Sequence, residues 1–367
     1  MPVLPHTYIL NPDLRRPSSQ NSVPRSTGCI WLDKNENLDP ELLAVTTSIL
    51  RNLDPACLAL YPEFSALYKK LSAWIGVPPE AIMLTPGSDG AIRLTFEVFV
   101  APRDVVVHTV PTFAMYPVYC QMFGATANPI EYFRGNEGPI LDVQSLLNHI
   151  LRVRPRLVCL PNPDSPTGTV FDDDALLSLI NLCGSIGTVV LIDEAYHPFY
   201  ANTCAQWTKQ HSHLIIARTF AKAWGLAGLR IGYVIGHPAT IEYFHKMRPM
   251  YEVGMLSALF MEQMLDHVDA MEASVSRIIE GKKFFVKQMQ ALGLKTIPTE
   301  GNFQHVAFGD HAELIHGVLT DIVLYRKDFK EDCLKGFSRF SMAPVDGLRS
   351  TVLAIQEAIN KSKAHRR

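Results

Sequence analysis

Apolar residues recur with two different spacings along the chain, and the spacing changes near residue 80. Before that point, residues 40–53 (PELLAVTTSILRNL) and 63–77 (EFSALYKKLSAWIGV) place apolar side chains three and four positions apart. That spacing puts them on one face of a helix, so both segments are predicted to be amphipathic helices. Pro40 is compatible with this prediction, because the first turn of a helix tolerates proline.

From residue 81 onward the pattern consists of short apolar runs, rich in β-branched residues, each followed by a turn signal or a helix. These runs predict strands within residues 81–87, 104–113, 156–168, 188–199, 214–222 and 230–236. Strands that are apolar on both faces and separated by helices, such as the one predicted over 173–187, indicate an α/β fold with a mostly parallel sheet. In such a sheet, ligands bind at the carboxyl ends of the strands.

The pattern changes again after about residue 240, where residues 255–293 predict long helices and a few short strands and a final helix follow. We therefore predict a large domain over 49–254 and a small C-terminal domain over 255–367. Residues 1–48 are predicted to form an N-terminal arm, irregular to about residue 30, and part of the small domain. The smaller domain is then α+β and is built from both termini.

Composition narrows the classes of function. Of the 367 residues, 47% are hydrophobic and 19% are charged, and the formal net charge is −2. Without a basic excess, neither nucleic acid nor a membrane surface is the expected partner. We find no signal peptide and no apolar run of about 18 residues, so we expect a cytoplasmic protein without a membrane span.

The seven cysteines are odd in number and include no C-x-x-C pair. This usage argues against a disulfide framework and against a structural zinc site. Buried thiols in a reducing compartment are the simpler interpretation, and no metal site is expected.

Polar residues that could bind a ligand or take part in catalysis follow several predicted strands. Residues 85–92 (TPGSDGAI) would open a helix whose free N–H groups attract an anion, although such residues are usually a simple helix cap. Asp193 ends the apolar strand of LIDEAYHPF, where a buried carboxylate needs a positive partner unless it serves as a cap or turn. Residues 161–168 (PNPDSPTG) fix an unusual backbone at a strand end, or form a plain loop.

Lys222 lies between apolar residues in RTFAKAWGLAGLRIGY, and Arg230 follows it by eight positions. A lysine in a partly apolar pocket has a lowered pKa and becomes a nucleophile toward carbonyls, whereas most single lysines are solvated. An arginine binds phosphate through two parallel N–H hydrogen bonds. The strand ends of one sheet thus carry a set of groups that fits pyridoxal phosphate: an anion-binding turn, an aspartate, a tyrosine, a lysine and an arginine. That cofactor needs a lysine for its aldehyde, a carboxylate for its ring nitrogen and donors for its phosphate.

The chain resembles the fold-type I pyridoxal-phosphate aminotransferases and, among them, the histidinol-phosphate aminotransferase branch. The resemblance covers roughly residues 31–357 and rests on LDKNENLDP (32–40), YPEFSALYKKLSAWIGVPPEAIMLTPGSDGAI (61–92), PTFAMY (111–116), PNPDSPTG, IDEAY, TFAKAWGLAGLRIGY and FSRFSMAP (337–344). It implies a seven-stranded, mostly parallel sheet in the large domain, pyridoxal 5'-phosphate as cofactor, and a homodimer with shared active sites.

By this resemblance, Lys222 holds the cofactor covalently, Asp193 pairs with its ring nitrogen, and Tyr196 hydrogen-bonds its phenolic oxygen. The resemblance further implies a set of cofactor-binding residues: Ser88, Asp89, Thr219 and Arg230 at the phosphate, Phe113 on the ring face, Ser165 near the ring oxygen, and Tyr61, which reaches the phosphate in the partner subunit. Arg339 matches the arginine that binds the acidic end of the substrate, and Arg326 matches a second anion-binding arginine.

The chain departs from the family pattern at three places. Ser165 stands where the family has an asparagine whose amide donates to the ring oxygen, and Ala221 replaces a serine that binds phosphate. Residues 248–254 (RPMYEVG) lack the asparagines expected in this branch. These changes leave the cofactor prediction intact but weaken the prediction of histidinol phosphate as substrate.

Three functions remain open from the sequence. The leading one is an aminotransferase that moves an amino group from an amino acid, expected to be glutamate, to a 2-oxo or phosphorylated acceptor. The second keeps the cofactor but is a decarboxylase resembling threonine-phosphate decarboxylase. The third is a non-catalytic scaffold that binds the cofactor, and the presence of Lys222, Asp193, Tyr196 and Arg230 argues against it.

Overall fold

A mixed sheet flanked by helices forms the centre of the structure, a computed structural model that describes residue 14 and residues 24–365. Most of the irregular arm predicted for residues 1–30 therefore lies outside the described residues. The α-helices are α1 (Pro40–Asn52), α2 (Ser65–Ile75), α3 (Gly87–Phe99), α4 (Met115–Met122), α5 (Val143–Val153), α6 (Asp173–Ser185), α7 (Pro238–Met247), α8 (Met255–Met264), α9 (Val268–Ala291), α10 (Ala312–Leu319) and α11 (Val345–His365).

The strands alternate with these helices through the middle of the chain. They are β1 (Ile30–Trp31), β2 (Ile82–Thr85), β3 (Val105–Val110), β4 (Thr126–Ala127), β5 (Ile130–Glu131), β6 (Phe133–Gly135), β7 (Gly138–Ile140), β8 (Leu157–Pro161), β9 (Val189–Asp193), β10 (Leu214–Thr219), β11 (Gly232–Gly236), β12 (Lys295–Ile297), β13 (Phe303–Ala307), β14 (Val323–Leu324) and β15 (Phe337–Ser341). Short 3-10 helices lie at Pro55–Ala59, Pro79–Ala81, Ala205–Lys209, Ala227–Leu229, Leu265–His267, Gly309–His311 and Asp332–Leu334.

The large sheet has seven strands in the order β2-β11-β10-β9-β8-β3-β4, and β5 adds a further pair to β3. The pairs from β10 through β9, β8 and β3 to β4 are parallel, whereas β11 runs antiparallel to both β10 and β2. The predicted α/β fold with a mostly parallel seven-stranded sheet between helices is confirmed.

Burial on both faces explains why the central strands are apolar throughout. Every residue of β8, β9 and β10 is buried, and helices cover the sheet. One of them, α6, begins after Asp172, whose carboxylate accepts the N–H of Ala175 at 2.8 Å and so caps the first turn. The register aligns Asp193 with Pro161 on one side and with Ala217 on the other. The carboxyl ends of the three strands therefore lie level with one another.

The two ends of the chain meet beside this sheet. Strands β12, β13 and β15 form a small antiparallel sheet, and α9 packs against α11. β1, near the N-terminus, pairs in parallel with β14, near the C-terminus. The predicted boundaries at 48/49 and 254/255 stay predictions.

The described residues also bear on membrane association and on the cysteines. Within residues 24–365, we find no helix that combines the length and the apolar character needed to cross a membrane. All seven cysteines are free thiols, and all of them except the partly buried Cys29 are buried.

Candidate active site

A cavity of about 980 Å³ opens at the carboxyl ends of the central strands. Eleven of the twelve site residues predicted from the sequence line it: Ser88, Asp89, Phe113, Ser165, Asp193, Tyr196, Thr219, Lys222, Arg230, Arg326 and Arg339. The twelfth, Tyr61, lies on the surface. The fold thus brings together residues that are spread over some 250 positions of the chain, although the role assigned to each stays a prediction.

Lys222 follows the end of β10 by three residues, and its side chain enters the cavity. Its Nζ donates a hydrogen bond to the carbonyl oxygen of Lys34 at 2.8 Å and lies 5.9 Å from the centre of the Tyr196 ring. Burial, followed by the positive charge of Arg339, lowers the pKa of the Lys222 amine to about 8. Roughly a tenth of the amine is therefore neutral, and nucleophilic, at pH 7, far more than for an ordinary lysine.

Asp193 is the last residue of β9 and is almost fully buried. Its Oδ2 accepts a hydrogen bond from the hydroxyl of Tyr116 at 3.1 Å, and its Oδ1 accepts one from the N–H of Ala195 at 3.1 Å. Burial raises the pKa of this carboxyl to about 6, and the two hydrogen bonds oppose the rise. Because both donors are neutral, the charged carboxylate would gain from a cationic partner in the cavity.

Tyr196 is fixed from two sides. Asn35 Nδ2 donates to its hydroxyl at 2.8 Å, and Ser165 lies within hydrogen-bonding reach of the same hydroxyl. A Cβ atom on Gly301 would lie 2.9 Å from the ring, so only glycine lets the backbone pack this closely. Asn35 is held in turn, because its N–H donates to Ser341 Oγ at 2.7 Å. The phenol hydroxyl is thereby kept at one position in the cavity.

The turn between β2 and α3 forms an anion site at the other end of the cavity. Gly87 begins α3 with φ of +76°, and Ser88 and Asp89 follow in the first turn, where backbone N–H groups have no partner within the helix. A Cβ atom on Gly87 would lie 2.9 Å from Arg230 Nη2, so the guanidinium packs directly over the turn. Positive dipole, free donors and guanidinium together suit a phosphate group.

Thr219 and Ala221 lie beside this turn. The Thr219 hydroxyl accepts the N–H of Ala221 at 3.1 Å, and both residues line the cavity. The methyl side chain of Ala221 adds no hydrogen-bond donor there. The serine that the family has at this position would add a hydroxyl.

Two arginines lie on the side of the cavity formed by the C-terminal part of the chain. Arg339 on β15 is 8% exposed, its Nη2 donates to the carbonyl of Asp33 at 3.2 Å, and its Nε has no acceptor among the described residues. Arg326 exchanges two backbone hydrogen bonds with Arg339, at 3.0 and 2.9 Å. The Arg326 guanidinium stacks on Phe329 at 4.2 Å and lies 3.5 Å from Glu331. Both guanidinium groups face a region that suits acidic ligands.

Tyr61 does not line the cavity of its own chain. Its side chain is 76% exposed, and its ring stacks on Tyr251 with 4.8 Å between centroids. Its predicted contact with a partner subunit stays a prediction.

Sequence reasoning missed two residues that contact the site. Asn35 and Tyr116 both fall in segments that the family resemblance quoted, LDKNENLDP and PTFAMY, but neither received a role. Their partners, Tyr196 and Asp193, lie 161 and 77 positions away. Asn35 has a left-handed backbone, with φ of 57°, which asparagine tolerates better than most residues, but this angle is visible only in the structure.

Comparison with known proteins gives one family. The family described as aminotransferase class I and II matches residues 27–353. A histidinol-phosphate aminotransferase from a Thermoanaerobacter species is 32% identical over 303 residues, which cover 82% of this chain and 84% of that protein. Another, from Caldanaerobacter subterraneus, is 28% identical and covers 90% of this chain and 93% of its own length.

A solved structure has the same fold. The histidinol-phosphate aminotransferase from Sinorhizobium meliloti, crystallised in complex with pyridoxal-5'-phosphate, superposes with a TM-score of 0.76. The match covers 90% of this chain and 91% of that chain at 22% identity.

Proposed function

Because the chain belongs to the class I and II aminotransferases, whose cofactor is pyridoxal phosphate, we propose that it is similar to the histidinol-phosphate aminotransferases and moves an amino group from glutamate to a 2-oxo or phosphorylated acceptor. The observation that carries this proposal is the convergence of Lys222, Asp193 and Arg339 in one cavity. The amine suits the aldehyde of pyridoxal phosphate and the buried carboxylate suits its ring nitrogen, while the guanidinium suits the carboxylate of an amino-acid substrate.

The residues present fit the cofactor. The first turn of α3, with Ser88, Asp89 and Arg230, would hold the phosphate, and Lys222 would hold the aldehyde carbon. Asp193 would meet the ring nitrogen, where its buried charge gains the cationic partner that its neutral hydrogen-bond donors do not supply. When bound, pyridoxal phosphate supplies an aldehyde that exchanges with amines and a ring that accepts electron density.

Lys222 would also move the proton. Since its pKa is lowered to about 8, the amine can accept a proton from the substrate's α-carbon and return it at a neighbouring atom near neutral pH. The hydrogen bond from Nζ to the Lys34 carbonyl supports this role by holding the amine on one side of the cavity.

Tyr196 and Ser165 would contact the ring oxygen, and Phe113 the ring face. Asn35 and Ser165 both contact the Tyr196 hydroxyl, so that hydroxyl keeps a hydrogen-bond donor, Asn35, whatever residue stands at position 165. Thr219 would add a hydroxyl near the phosphate.

Arg339 would bind the carboxylate of the amino donor. Its buried Nε without an acceptor supports this assignment, because a substrate carboxylate would satisfy it. Arg326, partly exposed and next to Arg339, would bind a phosphate or second acidic group on the substrate.

We further propose that the enzyme is a homodimer in which Tyr61 reaches the cofactor phosphate of the partner subunit. Support comes from the exposure of Tyr61 together with Leu58, Leu60 and Met250, which are 74%, 60% and 79% exposed. Leu58, Leu60 and Tyr61 are neighbours in the sequence, and Met250 precedes Tyr251, on whose ring Tyr61 stacks at 4.8 Å. Exposed large apolar side chains grouped in this way mark an interaction surface.

Two measurements test the proposed function. Borohydride reduction of the cofactor-loaded protein, followed by peptide mass mapping, should attach the cofactor to Lys222, and attachment to another lysine would contradict the assignment. A panel of amino acids should then convert the bound cofactor to its amine form, read by visible absorbance, with release of the matching 2-oxo acid. Release of CO₂ instead would identify a decarboxylase, and an unchanged spectrum with every amine would identify a binding scaffold.

A further inference from the structure

Tyr116 is a fully buried tyrosine beside the cavity. It lies in the first turn of α4, and its hydroxyl donates a hydrogen bond to Asp193 Oδ2 at 3.1 Å. The ring stacks on His108 with 6.4 Å between centroids and meets Phe113 edge-on at 6.0 Å. Because the side chain is sealed between these rings, it cannot contact a substrate, and its hydroxyl acts on the cavity only through Asp193.

The two hydrogen bonds on Asp193 determine its orientation. One protein donor reaches each carboxylate oxygen, Tyr116 at Oδ2 and the N–H of Ala195 at Oδ1. Two donors on different oxygens prevent rotation of the carboxylate. A carboxylate has about four acceptor sites, so capacity remains for a donor in the cavity that Asp193 lines.

Tyr116 can serve only as a donor in this contact. Burial, with the nearby charge of Asp193 added, raises the pKa of Tyr116 well above its ordinary value, so the phenol stays protonated. At Asp193, burial and the charges of Asp89 and Glu194 favour the neutral acid, whereas the hydrogen bonds from Tyr116 and Ala195 favour the carboxylate.

We propose that Tyr116 is a positioning residue for the cofactor's ring nitrogen, because its hydroxyl fixes the Asp193 carboxylate in the charged form and orientation that pair with that nitrogen. The inference rests on the proposed function, in which Asp193 meets the ring nitrogen. Removing the Tyr116 hydroxyl leaves Asp193 Oδ2 buried without its donor. That loss should lower the affinity only for a ligand whose ring nitrogen pairs with Asp193.

The experiment compares two ligands on the cofactor-free protein. One is pyridoxal phosphate, and the other is its analogue in which a carbon atom replaces the ring nitrogen. The dissociation constants are measured by absorbance titration for the wild type and for Tyr116→Phe, which keeps the buried ring. We expect Tyr116→Phe to weaken pyridoxal phosphate about tenfold, the effect of one hydrogen bond to a charged group. The analogue should change less than about twofold.

Tyr132→Phe is the matched control. Tyr132 is also a buried tyrosine, and its hydroxyl lies 3.4 Å from a different buried carboxylate, that of Asp164. Neither residue lines the cavity. This variant should leave the ratio of the two dissociation constants unchanged.

Three outcomes would overturn this inference alone. Equal weakening of both ligands by Tyr116→Phe would show a structural role, and unchanged dissociation constants for both ligands would show no role at the ring nitrogen. A further loss on adding Tyr116→Phe to Asp193→Asn would show that the hydroxyl does not act through Asp193. If the wild type itself does not prefer pyridoxal phosphate over the analogue, the assignment of Asp193 fails as well, so the two failures are distinguishable.

Discussion

Lys222 is surrounded by charges of both signs. Arg339 and Arg230 disfavour its ammonium form, Glu36 and Asp193 favour it, and burial outweighs each of them in lowering the pKa to about 8. Below that pH the amine is mostly protonated and does not attack an aldehyde, and above it the neutral amine dominates.

The rate of pyridoxal phosphate capture by the cofactor-free protein should therefore rise with pH, with a midpoint near 8. Arg339→Met removes a cation that disfavours the ammonium form, so it should raise the midpoint toward the ordinary lysine value of about 10.4. Stopped-flow absorbance across a pH series measures the midpoint. Arg326→Met serves as the control, because Arg326 is not among the charges that mainly set the Lys222 pKa, and an equal shift in both variants would contradict the prediction.

The two arginines should also differ in their effect on substrates. A lost charged hydrogen bond costs about 1.5–3 kcal/mol, which is roughly ten- to a hundredfold in affinity. Arg339→Ala should weaken both half-reactions, whereas Arg326→Ala should weaken mainly the one with the more acidic substrate. Rapid-mixing kinetics with each substrate alone measures both effects. Small, equal losses for both substrates in both variants would show that the arginines are structural.

At the residue scale, the sequence predicts side chains that stand at strand ends, because a polar residue after an apolar run is a local signal. Asp193 and Lys222 are of this kind. Asn35 and Tyr116 are not, because their importance depends on hydrogen bonds to Tyr196 and Asp193, which local spacing does not encode.

At the scale of elements, the turn between β2 and α3 should be sensitive to a single added methyl group. Gly87→Ala forces a left-handed backbone on alanine, at a cost of about 1–2 kcal/mol, and places a Cβ 2.9 Å from Arg230 Nη2. Displacing that guanidinium should weaken pyridoxal phosphate about tenfold in an absorbance titration.

Gly187→Ala provides the control for Gly87→Ala. Gly187 precedes β9, has φ of +75°, and would place its Cβ more than 4 Å from any neighbour. Gly187→Ala should lower the melting temperature about as much as Gly87→Ala does, while leaving the cofactor dissociation constant unchanged. Equal cofactor affinity in the two variants would show that a Cβ atom at position 87 does not displace the Arg230 guanidinium from the cofactor site.

Element positions follow from the apolar pattern, but strand direction does not. The strands predicted within 188–199 and 214–222 occur as β9 and β10, shorter because the polar residues after them form the cavity wall. The antiparallel direction of β11 could not be predicted, because it depends on how the segment of residues 220–231 turns back. Likewise, the apolar pattern over 255–293 does not reveal the 3-10 turn at Leu265–His267 that separates α8 from α9.

For the whole molecule, the shared-site dimer makes a quantitative prediction. If Tyr61 completes the partner's site, a mixed dimer of Tyr61→Ala and Lys222→Ala subunits contains one undamaged site and one doubly damaged site. Random mixing should then restore about a quarter of wild-type activity, because about half of the dimers are mixed and each has one good site of two. Activity assays after dissociation and remixing test this. Activity no greater than the average of the separate variants would show that each site uses its own Tyr61.

The hydrogen bond from Asn35 to Ser341 joins residues 306 positions apart, close to the length of the chain. Contacts of such high sequence separation carry a large loop-closure entropy and form late in folding. Synthesis proceeds from the N-terminus, so Asn35 is made 306 residues before its partner Ser341 on β15. A nascent chain that has completed β11 already carries Lys222 and Asp193, yet the segment that anchors the Tyr196 hydroxyl still has nothing to dock on. The hydroxyl of Tyr196 therefore gains its anchored position only after β15 has been made and Asn35 has docked on it.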